Sequence, residues 1–146
     1  MGTTTLPPFE RPAHARSRNM AAIRSVDTRP ELTVRRAVHR AGLRYRLHNR
    51  RLPGCPDMVF PRFHLAAFVH GCFWHGHTCK IGHVPGSNTA YWSAKIGRNV
   101  SRDARNQEVL VQNGWKVRLI RECDLTMGTT KLIEELMALR SVSASN

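Results

Sequence analysis

Acidic residues are scarce in this 146-residue chain: 10 Asp and Glu stand against 23 Lys and Arg, which leaves a formal charge of +13. That surface departs far from the near-neutral balance of an average soluble enzyme and calls for a polyanionic partner. Long apolar runs are absent as well. None approaches the roughly 18 residues that suggest a membrane span, and Met1–His14 lacks the apolar stretch of a secretory signal, so a membrane protein is excluded on this reading and a cytoplasmic location is expected. Cysteine is limited to Cys55, Cys72, Cys79 and Cys123. In a reducing compartment these point to a metal site more readily than to disulfides. The length suits one domain, and 41% hydrophobic residues suffice for one compact core.

Residues 1–15, with Pro7, Pro8 and Pro12 and little apolar periodicity, read as a flexible arm, and 141–146 as a disordered tail; 16–140 carry the single domain. A basic helix is expected over Arg16–Arg24, with Met20 and Ile23 three positions apart. Thr28-Arg-Pro-Glu31 has the capping-box pattern, and Val34, Ala37, Val38 and Ala41 continue a helix to Gly42. Tyr45 and Leu47, Met58-Val-Phe60 and Leu65-Ala-Ala-Phe-Val69 then predict a small antiparallel meander. Trp92, Ile96, Val100, Ala104 and Leu110 keep helical spacing up to Asn113-Gly114, Trp115, Val117 and Leu119 alternate as a strand, and Leu132–Leu139 form a last amphipathic helix. The class is mixed α/β (α+β), with helices on both faces of the inner strands, since Phe60 and Ala67-Phe-Val69 sit in nearly continuous apolar runs.

Cys72-Phe-Trp-His-Gly-His77-Thr-Cys79 packs two thiols and two imidazoles into one short segment, the ligand types that Zn²⁺ takes in tetrahedral geometry. His75 and His77 point the same way in extended chain and apart if the chain turns tightly at Gly76, so spacing does not choose between them. A closed structural site needs a fourth ligand, for which Cys123, at the end of a predicted strand, competes with Cys55.

The chain resembles the very short patch repair (Vsr) endonucleases, which nick DNA at thymine–guanine mismatches. The matching blocks are Arg18-Asn-Met20, Leu52-Pro-Gly-Cys-Pro-Asp57, Phe68-Val-His-Gly-Cys-Phe-Trp-His75, His77-Thr-Cys79, Val84-Pro85, Tyr91-Trp92, Lys95-Ile-Gly-Arg-Asn99, Arg102-Asp103 and Gly114-Trp115 through Glu122-Cys123, in order from about residue 16 to 124. The resemblance implies a restriction-endonuclease-like core, a central mixed sheet flanked by helices, in which the usual Glu-x-Lys reads Phe68-Val69-His70. It implies that Asp57 and the backbone carbonyl of Val69 hold catalytic Mg²⁺, that His75 is the general base, and that His70, Glu31 and Asp103 assist the water network; Glu31 also has a structural reading as the capping-box residue. It implies a structural zinc on Cys72, His77, Cys79 and Cys123, with Cys55 a free thiol.

By the same resemblance, Phe73, Trp74 and Trp92 enter DNA beside the mismatch and Met20 and Ile23 face the opposite side of that step; the ordinary alternative for the aromatics is core packing. Val69 stands where the best-known members have Thr, a change that a backbone ligand tolerates. The basic run Arg44, Arg46, Arg50 and Arg51 exceeds the family pattern and either contacts phosphates or forms a solvated edge. The expected partners are double-stranded DNA carrying T:G, a DNA cytosine-5 methyltransferase that sets the sequence context, and downstream repair proteins, with the chain acting as a monomer. Two alternatives remain: a nuclease of the same type turned against modified or foreign DNA, and a zinc-stabilised DNA-binding module without catalysis.

Overall fold

A computed structural model describes residues 6–8, 27–79, 82 and 86–144; the expected helix over Arg16–Arg24, with Met20 and Ile23, and the Val84-Pro85 block lie outside them. The elements are α1 (Arg29–Arg40), β1 (Arg46–Leu47), β2 (Met58–Phe60), β3 (Leu65–His70), α2 (Thr89–Gln112), β4 (Lys116–Arg121) and α3 (Leu125–Ala144), with 3₁₀ turns at Pro61–Phe63 and Glu122–Asp124. Thr28 caps α1: its side chain accepts the Glu31 N–H at 3.4 Å, and Pro30 sits in the first turn, where its missing N–H costs nothing.

The strands form one sheet in the order β1-β2-β3-β4. The first three make the antiparallel meander, and β4 returns parallel to β3, with Leu65 opposite Lys116 and His70 opposite Arg121. Alternation along β3 explains its fully buried run. Leu65, Ala67 and Val69 join Met58, Phe60 and Ile120 in a core closed by Val34 and Val38 of α1 and Leu132 and Leu136 of α3. Ala66 and Phe68 face the other way, onto Leu110 of α2. Both faces of β3 are thus covered, which is the mixed α/β architecture expected from the sequence. Among the described residues no helix is long and apolar enough to cross a membrane.

Two boundaries differ from the sequence reading. Helix α3 runs to Ala144, into the segment expected as a tail, and it begins at Leu125, seven residues before the apolar repeat at Leu132. Its first turns carry threonines and Gly128, a poor helical signal, but a Cβ at Gly128 would lie 3.0 Å from Ile120 Cγ2. The helix starts early because it crosses β4 at that close approach, a tertiary reason that local propensity does not contain.

Candidate functional site

Asp57 ends the loop that precedes β2, and its Oδ2 accepts the Val69 N–H at 2.6 Å. The β2–β3 ladder stops at Met58 opposite Ala67, so the carboxylate takes the place of the missing strand beside Val69. A strand residue directs its N–H and C=O to the same edge; the Val69 carbonyl therefore faces the Asp57 side. Desolvation by burial pushes Asp57 up to about 6, further raised by the Glu31 charge, while the Val69 hydrogen bond works against the shift. A carboxylate so desolvated, next to a backbone carbonyl, is a donor set that suits a hard divalent cation.

His70 ends β3, and its ring stacks on that of His75 with centroids 3.6 Å apart and planes within 4°. Burial, and then the His75 charge, push His70 down to about 4, so it is neutral near pH 7. His75 Nδ1 bonds Asp103 Oδ2 of α2 at 2.5 Å. Burial by itself raises Asp103, but the His75 hydrogen bond and the charges of His75 and Arg102 outweigh it and hold the carboxyl below its usual range. The ligating atoms of His70, His75 and Asp103 lie within 4.8 Å of one another.

Gly76 separates the two histidines that spacing left ambiguous. Its φ is +68°, and a Cβ there would meet Val100 Cγ2 at 2.7 Å, so only glycine turns the chain this tightly against α2. His75 goes to Asp103, and His77 goes to a second cluster with Cys72, Cys79 and Cys123, whose ligand atoms again lie within 4.8 Å of one another. Cys123 Sγ and His77 Nδ1 are 3.4 Å apart, close to the roughly 3.6 Å edge of a tetrahedron with Zn–S near 2.3 Å and Zn–N near 2.0–2.1 Å. As a thiol, Cys72 is pushed up to about 12 by desolvation, a state that a bound cation reverses by stabilising thiolates. The three cysteines and His77 fit zinc. Cys123 lies in the 3₁₀ turn just after β4 rather than on the strand, and Cys55 is not among these clustered ligands.

Glu31 is 2% exposed, and its carboxylate bonds His48 Nε2. Only the Thr28 half of the capping box therefore forms: the Glu31 side chain turns to His48. Phe73, Trp74 and Trp92 pack edge to face, with centroids 4.9 to 5.7 Å apart. Phe73 and Trp74 are half-buried, whereas Trp92 is 5% exposed. Lys95 Nζ lies 5.4 Å from the Trp74 ring, and Asn99 donates to the Trp74 carbonyl at 2.9 Å. Sequence reasoning gave no role to Lys95, Asn99 or His48. The first two were findable, because Trp92, Lys95, Asn99 and Asp103 follow helical spacing and share one face of α2. Arg44, Arg46, Arg50 and Arg51 are all exposed.

Similarity to known proteins agrees with this arrangement. The sequence model of the family described as DNA mismatch endonuclease Vsr matches residues 11–81. A type II nicking enzyme, V.XorIIP of Xanthomonas oryzae pv. oryzae, is 50% identical over 107 residues, covering 73% of this chain and 79% of that protein. The type II nicking enzyme V.NmeAIP of Neisseria meningitidis is 44% identical over 110 residues, 75% of this chain and 79% of the relative. The DNA mismatch endonuclease Vsr of Escherichia coli is 41% identical over 125 residues, 86% of this chain and 80% of its own length. With the mixed sheet, the Cys₃His cluster and these relatives together, the chain belongs to the Vsr family of DNA mismatch endonucleases.

Proposed function

We propose that the protein is a Mg²⁺-dependent endonuclease that nicks one DNA strand on the 5′ side of the thymine in a T:G mismatch, the product of 5-methylcytosine deamination. The observation that carries this reading is the division of the ligand-rich segment into two sites. One is a Cys₃His cluster suited to structural zinc, and the other is a His70–His75–Asp103 group gathered at the end of β3, the strand whose Val69 N–H bonds Asp57. A binding module has no use for the second. Asp57 and the Val69 carbonyl are the groups that would hold Mg²⁺, which when bound polarises the phosphate and eases deprotonation of water.

The remaining work falls to side chains. With Nδ1 protonated and donating to Asp103, His75 presents Nε2 as the base that takes a proton from the attacking water. Neutral His70, stacked on that ring, adds no competing positive charge. Attack of the water oxygen at phosphorus breaks the bond to the 3′ oxygen, which takes a proton from solvent and leaves as a 3′ hydroxyl, and a 5′ phosphate remains for repair synthesis. Zinc on Cys72, His77, Cys79 and Cys123 ties the segment after β3 to the turn after β4 and takes no part in the reaction. The excess positive charge holds the phosphate backbone. A cytosine-5 methyltransferase and repair-synthesis proteins are the expected functional partners, with the chain acting as a monomer on an asymmetric lesion.

Phe73 and Trp74 serve as the wedge that opens a mismatched step whose stacking is already weak, backed by the more deeply buried Trp92; Met20 and Ile23 belong to the opposite side of the step. Trp74→Ala is expected to lower the affinity ratio of mismatched to matched duplex about 10-fold, within the roughly 1–3 kcal/mol typical of base–aromatic stacking, with a smaller loss on matched DNA. Fluorescence anisotropy on T:G and C:G duplexes checks this, and equal losses on both would assign Trp74 to packing. The activity itself is tested by offering T:G, C:G and modified-base duplexes in several flanking sequences. Preferential nicking of T:G supports the repair reading, and preferential cutting of modified duplexes contradicts it.

A further inference from the structure

The β1–β2 ladder pairs Leu47 with Met58, and the His48 N–H donates to the Asp57 carbonyl at 3.3 Å. One register step beyond the strand pair, His48 therefore stands across from Asp57. Successive strand residues point to opposite faces. Here they do not: Leu47 lines a surface groove with Leu32 and Arg36 of α1, and His48, the next residue, bonds Glu31 of the same helix. The reversal comes from the backbone of His48, whose φ of +45° is left-handed and uncommon for a residue other than glycine. Residues held in such a conformation gather at functional sites, where the surrounding structure over-determines them.

Glu31 also needs this partner, since a carboxylate buried this completely is costly unless hydrogen-bonded. The other charged groups nearby are already engaged. Asp27, whose carboxylate lies within 4.8 Å of the ligating atoms of Glu31 and His48, is held by Arg35 at 2.7 Å. Asp57, whose charge interacts with both Glu31 and His48, takes the Val69 N–H.

We infer that His48 is a positioning residue: it fixes the Glu31 carboxylate beside Asp57, so that Glu31 accepts a hydrogen bond from water in the cleavage site. This rests on Asp57 being the centre of that site, as proposed above. His48 acts through Glu31, and it needs only a donor at the Nε2 position, which a glutamine side chain also supplies.

The test is a double-mutant cycle on the full chain, with His48→Ala, His48→Gln, Glu31→Gln and the His48→Ala/Glu31→Gln pair. Single-turnover nicking, duplex affinity without Mg²⁺ and folding stability in urea are read for each. His48→Ala is expected to slow nicking about 10- to 100-fold, the range seen when a partner that orients a site ligand is removed, with duplex affinity unchanged. His48→Gln should stay within about threefold of the parent chain, since it restores the donor. The double variant should be no slower than Glu31→Gln. Losses that multiply, or a His48→Gln variant as slow as His48→Ala, would overturn the inference. If the parent chain does not nick mismatched duplex, the functional reading fails, and the urea cycle still decides this one: coupling between His48 and Glu31 supports the holding contact, and strict additivity refutes it.

Discussion

Asp57→Asn is expected to reduce strand nicking about 1000-fold or more, equivalent to about 4 kcal/mol of barrier, while leaving affinity for mismatched duplex without Mg²⁺ no weaker than that of the parent chain. The carboxylate accepts the Val69 N–H at the edge of β3, and asparagine keeps its shape but not its charge. The same change should stabilise the fold. Asp57 is raised from 3.8 to about 6 by desolvation, so the native state binds the proton more tightly than the unfolded chain. Stability attached to this group is lost as pH rises from about 4 through 6, and the penalty is complete above that. With zinc retained and no Mg²⁺ added, at pH 7.5 the variant should therefore melt a few degrees higher than the parent, and at pH 4 the two should converge. A variant that melts lower and also loses DNA binding would make Asp57 a structural residue. Functional sites trade stability for activity in this manner.

Cys123→Ser should release zinc and lower the thermal midpoint by about 10 °C or more, because zinc affinity is folding free energy and each kcal/mol shifts a domain of this size by several degrees. Cys123 is exposed, so replacing sulfur by oxygen removes little packing; the loss reports the metal. Cys55→Ser, outside the cluster, is the control and should retain full zinc content. Metal content by emission spectroscopy and melting with and without chelator check both. Unchanged zinc in Cys123→Ser, with loss in Cys55→Ser, would exchange the two assignments.

What the sequence made legible and what it concealed divide along physical lines. Thr28 as a helix cap, the nearly continuous apolar run Leu65–Val69 and the stop at Asn113-Gly114 depend on local chemistry, and the structure follows them. The start of α3 depends on contact between Gly128 and Ile120, which no window of sequence contains. Within the site, the ligand types in Cys72–Cys79 were plain, but the partition of His75 from His77 required the positive φ of Gly76 and the place of Asp103 on α2. Family resemblance had given the same partition for a different reason, by matching positions. His48 escaped both routes: its neighbours Leu47 and Asn49 give no signal, and its partner Glu31 lies 17 residues away on another element.

If the Asp57–His75 face cuts DNA rather than merely binding it, the products record where the strand is broken. The most direct measurement is the strand-resolved mapping of products from a T:G duplex labelled at each 5′ end, with and without Mg²⁺, zinc being retained in both. One nick is expected, on the thymine strand, immediately 5′ to the mismatched base, with a 5′ phosphate, present with Mg²⁺ and lost when Mg²⁺ is omitted and in Asp57→Asn. Tight, zinc-dependent binding with both strands intact in every flanking sequence would contradict it.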